Sequence, residues 1–139
     1  TIVNSGQRKK LKLIEGIKDT QGNWIQRTDS QLLGRVIRKD TADKIKNFLD
    51  KVTQYGTGIN ANDASFGGCG GKTGTPEISV NGNSQQNGWF AGYFPKDDPR
   101  YIIVVFIEDA AQGSAECTPV FRNIAEGIHE YESKITILE

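Results

Sequence analysis

Apolar positions change period twice along this chain of 139 residues. Leu-Lys-Leu-Ile-Glu-Gly-Ile-Lys-Asp (11–19) alternates loosely and predicts a strand. A turn at Gly22-Asn23 and a second short strand, Trp-Ile-Gln, should follow. Between 38 and 58 the period becomes helical. Ala42, Ile45, Leu49 and Val52 fall on one face beside Phe48, with polar residues opposite. Asp40 and Thr41 are good N-cap types, and Gly56 and Gly58 are good stops, so a helix is predicted over about 41–55.

A loop is expected over 58–68, after which strand patterning returns. Cys69 to Ser79 reads as a glycine-bearing strand, followed by a turn-rich connection through Val-Asn-Gly-Asn-Ser-Gln-Gln-Asn-Gly. Trp89–Phe94 is an aromatic strand, and Pro-Lys-Asp-Asp-Pro-Arg a tight turn. Tyr101–Asp109 is a continuous β-branched run that reads as a strand buried on both faces. Thr118 is placed as the cap of a last helix with Pro119 at its first position. Val120, Phe121, Ile124, Ala125 and Ile128 form the apolar stripe of that helix. Short connections between the last three strands require an antiparallel meander. The expected fold is therefore α+β: a meander of three strands covered by a C-terminal helix.

Composition narrows the function. Seventeen basic and seventeen acidic residues cancel, which argues against a dedicated nucleic-acid binder. No apolar run is long enough to span a membrane. Cys69 and Cys117 match no zinc spacing; they read as free thiols, with a bridge between them left open. The chain starts at Thr1 and holds no Met, so it is expected to be cut from something longer. Nothing implies a metal or another cofactor.

The chemistry concentrates in Gly-Gly-Cys-Gly-Gly-Lys-Thr-Gly-Thr-Pro-Glu (67–77). A phosphate-binding P-loop would need glycine at 66, where Phe66 stands, and a helix after the lysine, where strand and turn residues follow. A carboxylate site fits better. Lys72 offers a positive charge, and Thr73 and Thr75 offer hydroxyl donors. Gly74 lets a ligand backbone come close, and a strand edge can pair with an extended peptide. Lys-Thr-Gly is also one of the motifs of penicillin-binding serine acyl-transfer enzymes. A solvated lysine on a glycine-rich hairpin is the alternative for the tripeptide alone.

The surroundings favour the former. Gly-Gly-Lys-Thr-Gly-Thr-Pro-Glu, then Asn87–Asp109, then Thr-Pro-Val-Phe-Arg-Asn-Ile-Ala-Glu-Gly-Ile resemble the C-terminal part of penicillin-binding protein transpeptidase domains of the class B type. Val36–Gly58 is similar to the helix and Gly-Thr-Gly loop before the motif, and Ile2–Gly6 to a stretch soon after the family's second motif. The whole chain thus resembles the C-terminal part of one transpeptidase domain, with a strand/helix segment at 1–58 and the Lys-Thr-Gly sheet and closing helix at 59–139.

The resemblance implies a D,D-transpeptidase that cross-links peptidoglycan by serine acyl transfer. Lys72, Thr73, Gly74 and Thr75 fall on the substrate-carboxylate side. The backbone N–H of Thr75 corresponds to one oxyanion-hole donor. The family's first two motifs, Ser-x-x-Lys with the nucleophile and Ser-x-Asn, are expected to be absent here. His129, the only histidine, has no obvious serine partner. The isolated chain should therefore be inactive. Implied partners are a peptidoglycan stem peptide and β-lactams, with the missing N-terminal half or a second copy along 101–108. The implied place is the extracytoplasmic face of a bacterial membrane, with the parent protein membrane-anchored. The competing readings are a β-lactam sensor domain and a non-catalytic interaction module.

Overall fold

A computed structural model describes residues 1–136. The last three residues of the expected 59–139 segment lie outside the described residues. The chain divides into two compact units, Thr1–Lys46 and Asn47–Glu139.

The first unit holds two short antiparallel ribbons. β1 (Gln7–Lys9) pairs with β4 (Leu32–Arg35), and β2 (Gly16–Lys18) with β3 (Trp24–Arg27). The strand expected over 11–19 shrinks to β2, and the outer ribbon was not foreseen. The turn behaves as read. The Asp19 carboxylate accepts from the backbone N–H groups of Gln21 and Asn23, and Gly22 takes φ of 87°. These N–H bonds and the Asn23 side chain hold Asp19 below the usual carboxylate range.

Helix α1 (Lys39–Gln54) starts two residues before its predicted boundary, so Asp40 sits in its first turn instead of capping it. An acidic residue there favours the helix N-terminus. Its later turns belong to the second unit, whose sheet is the expected meander. β5 (Gly70–Gly74), β8 (Gly88–Phe94) and β9 (Tyr101–Ile107) lie in the order β5-β8-β9, all antiparallel. The turn-rich connection between β5 and β8 is a hairpin, β6 (Glu77–Val80) with β7 (Asn83–Gln86). Asn81 and Gly82, both at positive φ, form its two-residue turn, a pairing that matches the strand twist.

Helix α2 (Ser114–Thr136) closes the second unit. It begins four residues before the expected Thr118 cap and carries Pro119 inside it. The missing Pro119 N–H is compensated locally, because the Thr118 hydroxyl donates to the carbonyl of Ala115. That carbonyl is the one a residue at 119 would normally bond. The buried stripe is Cys117, Phe121 and Ala125, with Ile128 partly buried. Val120 and Ile124 are more exposed than the pattern suggested.

The core lies between α2 and one face of the sheet, where Phe66, Phe90, Phe94 and Phe121 are fully buried. Their rings meet edge-on, as aromatic quadrupoles favour: Phe90 and Phe121 at 4.9 Å, Phe66 and Phe94 at 5.6 Å. Cys69 and Cys117 are free thiols, both buried.

One strand expectation fails. β9 is not buried on both faces. Val105 faces the core, whereas Ile102, Val104 and Phe106 are 67%, 57% and 46% exposed. The register puts them level with Tyr93, Ala91 and Trp89. An uninterrupted apolar run implied two covered faces, but over β9 only the face packed by α2 is covered among the described residues.

Candidate functional site

Strand β5 is an edge of the three-stranded sheet and carries Lys72, Thr73 and Gly74, with Thr75 just past its end. Side chains alternate across a strand. Lys72 therefore shares a face with Ala91 and Val104, its cross-strand partners. Thr73 and Thr75 point the other way. A carboxylate held by all three would have to sit along the outer edge of β5.

Each of these groups has a defined partner. Lys72 is exposed, and its ammonium donates to the carbonyl of Thr73. Thr73 is 8% exposed, and its hydroxyl lies 2.7 Å from the hydroxyl of Thr57, in the Gly-Thr-Gly loop after α1. Thr75 is exposed. Its Oγ1 accepts the backbone N–H of Ser114 at 3.1 Å and lies 3.2 Å from the Ser114 hydroxyl, to which it donates.

The base of β5 is fastened by α1. The Thr53 hydroxyl, fully buried, donates to the Cys69 carbonyl at 2.6 Å. The Tyr93 hydroxyl donates to the Asp50 carboxylate. Burial first, and then that carboxylate, push the Tyr93 phenol far above its ordinary range, so its proton stays in place. Burial likewise pushes the Cys69 thiol up to about 12, which leaves it unsuited to act as a nucleophile.

The glycine-rich approach to Lys72 has a steric cause. A Cβ on Gly70 would lie 2.3 Å from the Tyr93 hydroxyl and 2.6 Å from an Asp50 carboxylate oxygen. The hydrogen bond between those two groups occupies the space a side chain would need.

His129 lies in a shallow depression with Asp63, Ser65, Arg122, Glu126 and Glu130. Ser65 is spatially near it, but the Ser65 backbone N–H and then its hydroxyl are directed at Asp63, and both lower that carboxyl's pKa. Arg122 ties the group together, bridging Asp63 at 2.7 Å and Glu126 at 2.8 Å. These contacts describe a surface ion-pair cluster, not a Ser–His nucleophile.

None of the seven serines has Lys three positions later. Ser-x-Asn is not absent by its letters, since Ser79-Val80-Asn81 matches it, and that expectation is corrected. The match lies after Lys-Thr-Gly, with Ser79 in β6 and Asn81 in the hairpin turn. Its asparagine is explained by the positive φ of that turn.

Sequence reasoning assigned no role to Thr57, Ser114, Asp50, Thr53 or Tyr93. The Gly-Thr-Gly loop was the only signal pointing to one of them.

The fold that carries this strand is shared with solved transpeptidase domains. The D,D-transpeptidase domain of a peptidoglycan glycosyltransferase from Eggerthella lenta superposes with a TM-score of 0.72 at 28% identity. That match covers 90% of this chain and 29% of the other. Penicillin binding protein 3 from Mycobacterium tuberculosis, complexed with aztreonam, gives 0.72 at 27% identity, covering 95% and 33%.

The sequence agrees with the fold. The family model described as penicillin binding protein transpeptidase domain matches residues 1–126, and the chain belongs to that family. Probable peptidoglycan D,D-transpeptidase PenA of Neisseria flavescens is 36% identical over 101 residues, which is 67% of this chain and 25% of that relative. The chain thus spans about a quarter of the length of that curated relative.

Proposed function

We propose that this chain is the C-terminal, Lys-Thr-Gly-bearing part of one D,D-transpeptidase domain, spanning 1–139, that cross-links peptidoglycan by serine acyl transfer. The observation that carries the reading is the edge placement of Lys72, Thr73, Gly74 and Thr75, in a chain with relatives named as D,D-transpeptidases. A stem peptide lies along the outer edge of β5 as an added strand, and Gly74 leaves room for its backbone. Its terminal carboxylate is drawn to the Lys72 ammonium and receives hydrogen bonds from Thr73 and Thr75. The more exposed Thr75 hydroxyl makes the larger contact.

The Thr75 backbone N–H supplies one oxyanion-hole donor. The second comes with the nucleophilic serine, which is not among residues 1–139. Losing one such donor costs about 3 kcal/mol of transition-state stabilisation, so the isolated chain is inactive. β-Lactams acylate the same serine and place their carboxylate on the same edge. Aztreonam bound to the M. tuberculosis neighbour supports this ligand class. The domain works on the extracytoplasmic face of the cell, where its substrate lies, in a membrane-anchored parent. Among the described residues no helix is long and apolar enough to cross a membrane.

The exposed face formed by Trp89, Val104 and Phe106, together with the β9 edge, receives the half of the domain that carries the nucleophile. Without that half, a second copy pairs along 101–108. An open apolar strand edge is otherwise a site of self-association.

The test is an intact mass spectrum with and without benzylpenicillin. One adduct on a segment outside residues 1–139 supports the reading, together with none on the isolated chain. An adduct on this chain itself would overturn it, because a nucleophile would then exist among these residues.

A further inference from the structure

We propose that Ser114 is a positioning residue that biases the Thr75 hydroxyl toward donating its proton to an anionic ligand. This rests on the carboxylate-binding reading of Thr75 given above and adds a device that sets its direction.

A threonine hydroxyl has one proton to donate and lone pairs to accept with. Left free, it can serve a donor or an acceptor, and it discriminates neither. The Thr75 oxygen is not free, because it accepts the backbone N–H of Ser114 at 3.1 Å. Ser114 is the first residue of α2, and first-turn N–H groups have no partner inside their own helix. Thr75, 39 residues earlier in the chain, supplies an acceptor for that N–H from outside the helix.

With one lone pair engaged, the hydroxyl is turned so that its proton is the favoured group to face a ligand. Its intramolecular partner is the Ser114 hydroxyl at 3.2 Å, a long O–H···O contact. A carboxylate is a stronger acceptor and takes that proton at little cost. A ligand amide N–H or ammonium at the same point finds one of the two lone pairs of that oxygen already taken.

Gly113 makes the docking possible. A Cβ there would fall 2.4 Å from Thr75 Cγ2 and 2.7 Å from Thr75 Oγ1. Gly113 also has φ of 57°, a conformation that L side chains rarely adopt. Gly113-Ser114 therefore forms a two-residue seat for one side chain of the site.

The two atoms of Ser114 can be separated. Ser114→Pro deletes the N–H at a helix position that tolerates proline. Ser114→Ala keeps the N–H and removes only the hydroxyl. Each variant is made in the protein that includes the nucleophile-bearing half. Second-order acylation rates are measured for benzylpenicillin and for its methyl ester, and their ratio reports recognition of the carboxylate.

The wild type should favour the acid by about tenfold or more, as expected for a hydrogen bond to a charged group. Thr75→Val should remove most of that preference, and Thr75→Ser should keep it. Ser114→Pro should reduce the ratio by about three- to tenfold while the ester rate changes by less than about twofold. Ser114→Ala should leave the ratio within about twofold of wild type. If Ser114→Pro does not fold, Gly113→Ala decides, since it displaces Thr75 from its seat and should lower the ratio in the same way.

A full wild-type ratio in the folded Ser114→Pro protein, or in Gly113→Ala where proline is not tolerated, overturns the positioning role. If Thr75→Val loses the preference in the same experiment, the carboxylate reading survives that outcome. A wild type that does not distinguish acid from ester removes the carboxylate reading, and this inference with it.

Discussion

Gly70→Ala tests whether the start of the Lys-Thr-Gly strand is held by the pairing of Tyr93 with Asp50. The added methyl would sit 2.3 Å from the Tyr93 hydroxyl, 2.4 Å from its ring carbon Cζ and 2.6 Å from Asp50 Oδ1. Tyr93 is buried, and its ring is cross-strand from Gly70 itself, so neither the ring nor the backbone has room to yield. Two costs overlap. Forcing an extra carbon into a packed site costs about 1–3 kcal/mol. Breaking a hydrogen bond to a charged group costs about 1.5–3 kcal/mol. Because one displacement causes both, the expected loss is about 2–4 kcal/mol, not their sum. Urea unfolding followed by tryptophan fluorescence measures it. Gly127→Ala is the control, because a Cβ there meets nothing within 4 Å. In a helix interior that change should stabilise by about 0.5–1 kcal/mol. Opposite signs for the two substitutions are expected. A Gly70→Ala protein within about 0.5 kcal/mol of wild type would refute the steric account of the glycine-rich strand start.

Thr53→Val should cost about 1–3 kcal/mol, because the buried Cys69 carbonyl loses its 2.6 Å donor; chemical denaturation reads this directly, and an unchanged midpoint would count against it. Cys69 should resist alkylation in the folded protein, and its effect on stability should depend on alkaline pH. The unfolded thiol ionises near 9 and the folded one near 12, so the contribution is complete below pH 9 and is lost as pH rises from 9 to 12. A shallower decline in Cys69→Ala across that window is the expected observation, and identical slopes would contradict it. Lys72→Ala should lower β-lactam acylation of the nucleophile-bearing protein by about tenfold or more. Its melting temperature should barely move, since the side chain is exposed; a large loss of stability would mean that Lys72 is structural.

The legible parts of the fold were those with a strong local period. Tyr101–Ile107 is a β-branched and aromatic run, and the polar turn before it leaves only an antiparallel neighbour, so β8 and β9 could be placed from sequence. Which faces of β9 are covered depends on elements remote in sequence, and there the periodic reading failed. The start of α2 was misplaced because Pro119 was taken as a first-turn residue. The local remedy, a Thr118 hydroxyl on the Ala115 carbonyl, becomes visible only in three dimensions. The β6–β7 hairpin could have been found, since Asn81-Gly82 is a strong turn signal, but its flanks are polar and lack alternation. In the first unit the ribbons are three or four residues long with irregular register, too short for a period to emerge.

The site divides in the same way. Lys72, Thr73 and Thr75 stand together in the sequence and could be read as a motif. Thr57 and Ser114 reach them across 16 and 39 residues, and no local pattern marks a hydroxyl or an N–H destined for such a contact.

The most direct test of the central claim is a crystal structure of the penicillin-acylated protein that contains this chain and its nucleophile. The account predicts the β-lactam carboxylate at the outer edge of β5, within hydrogen-bonding distance of the Thr73 and Thr75 hydroxyls and facing the Lys72 ammonium. A carboxylate bound away from that edge, with Lys72 and Thr75 making no contact to it, would contradict the account.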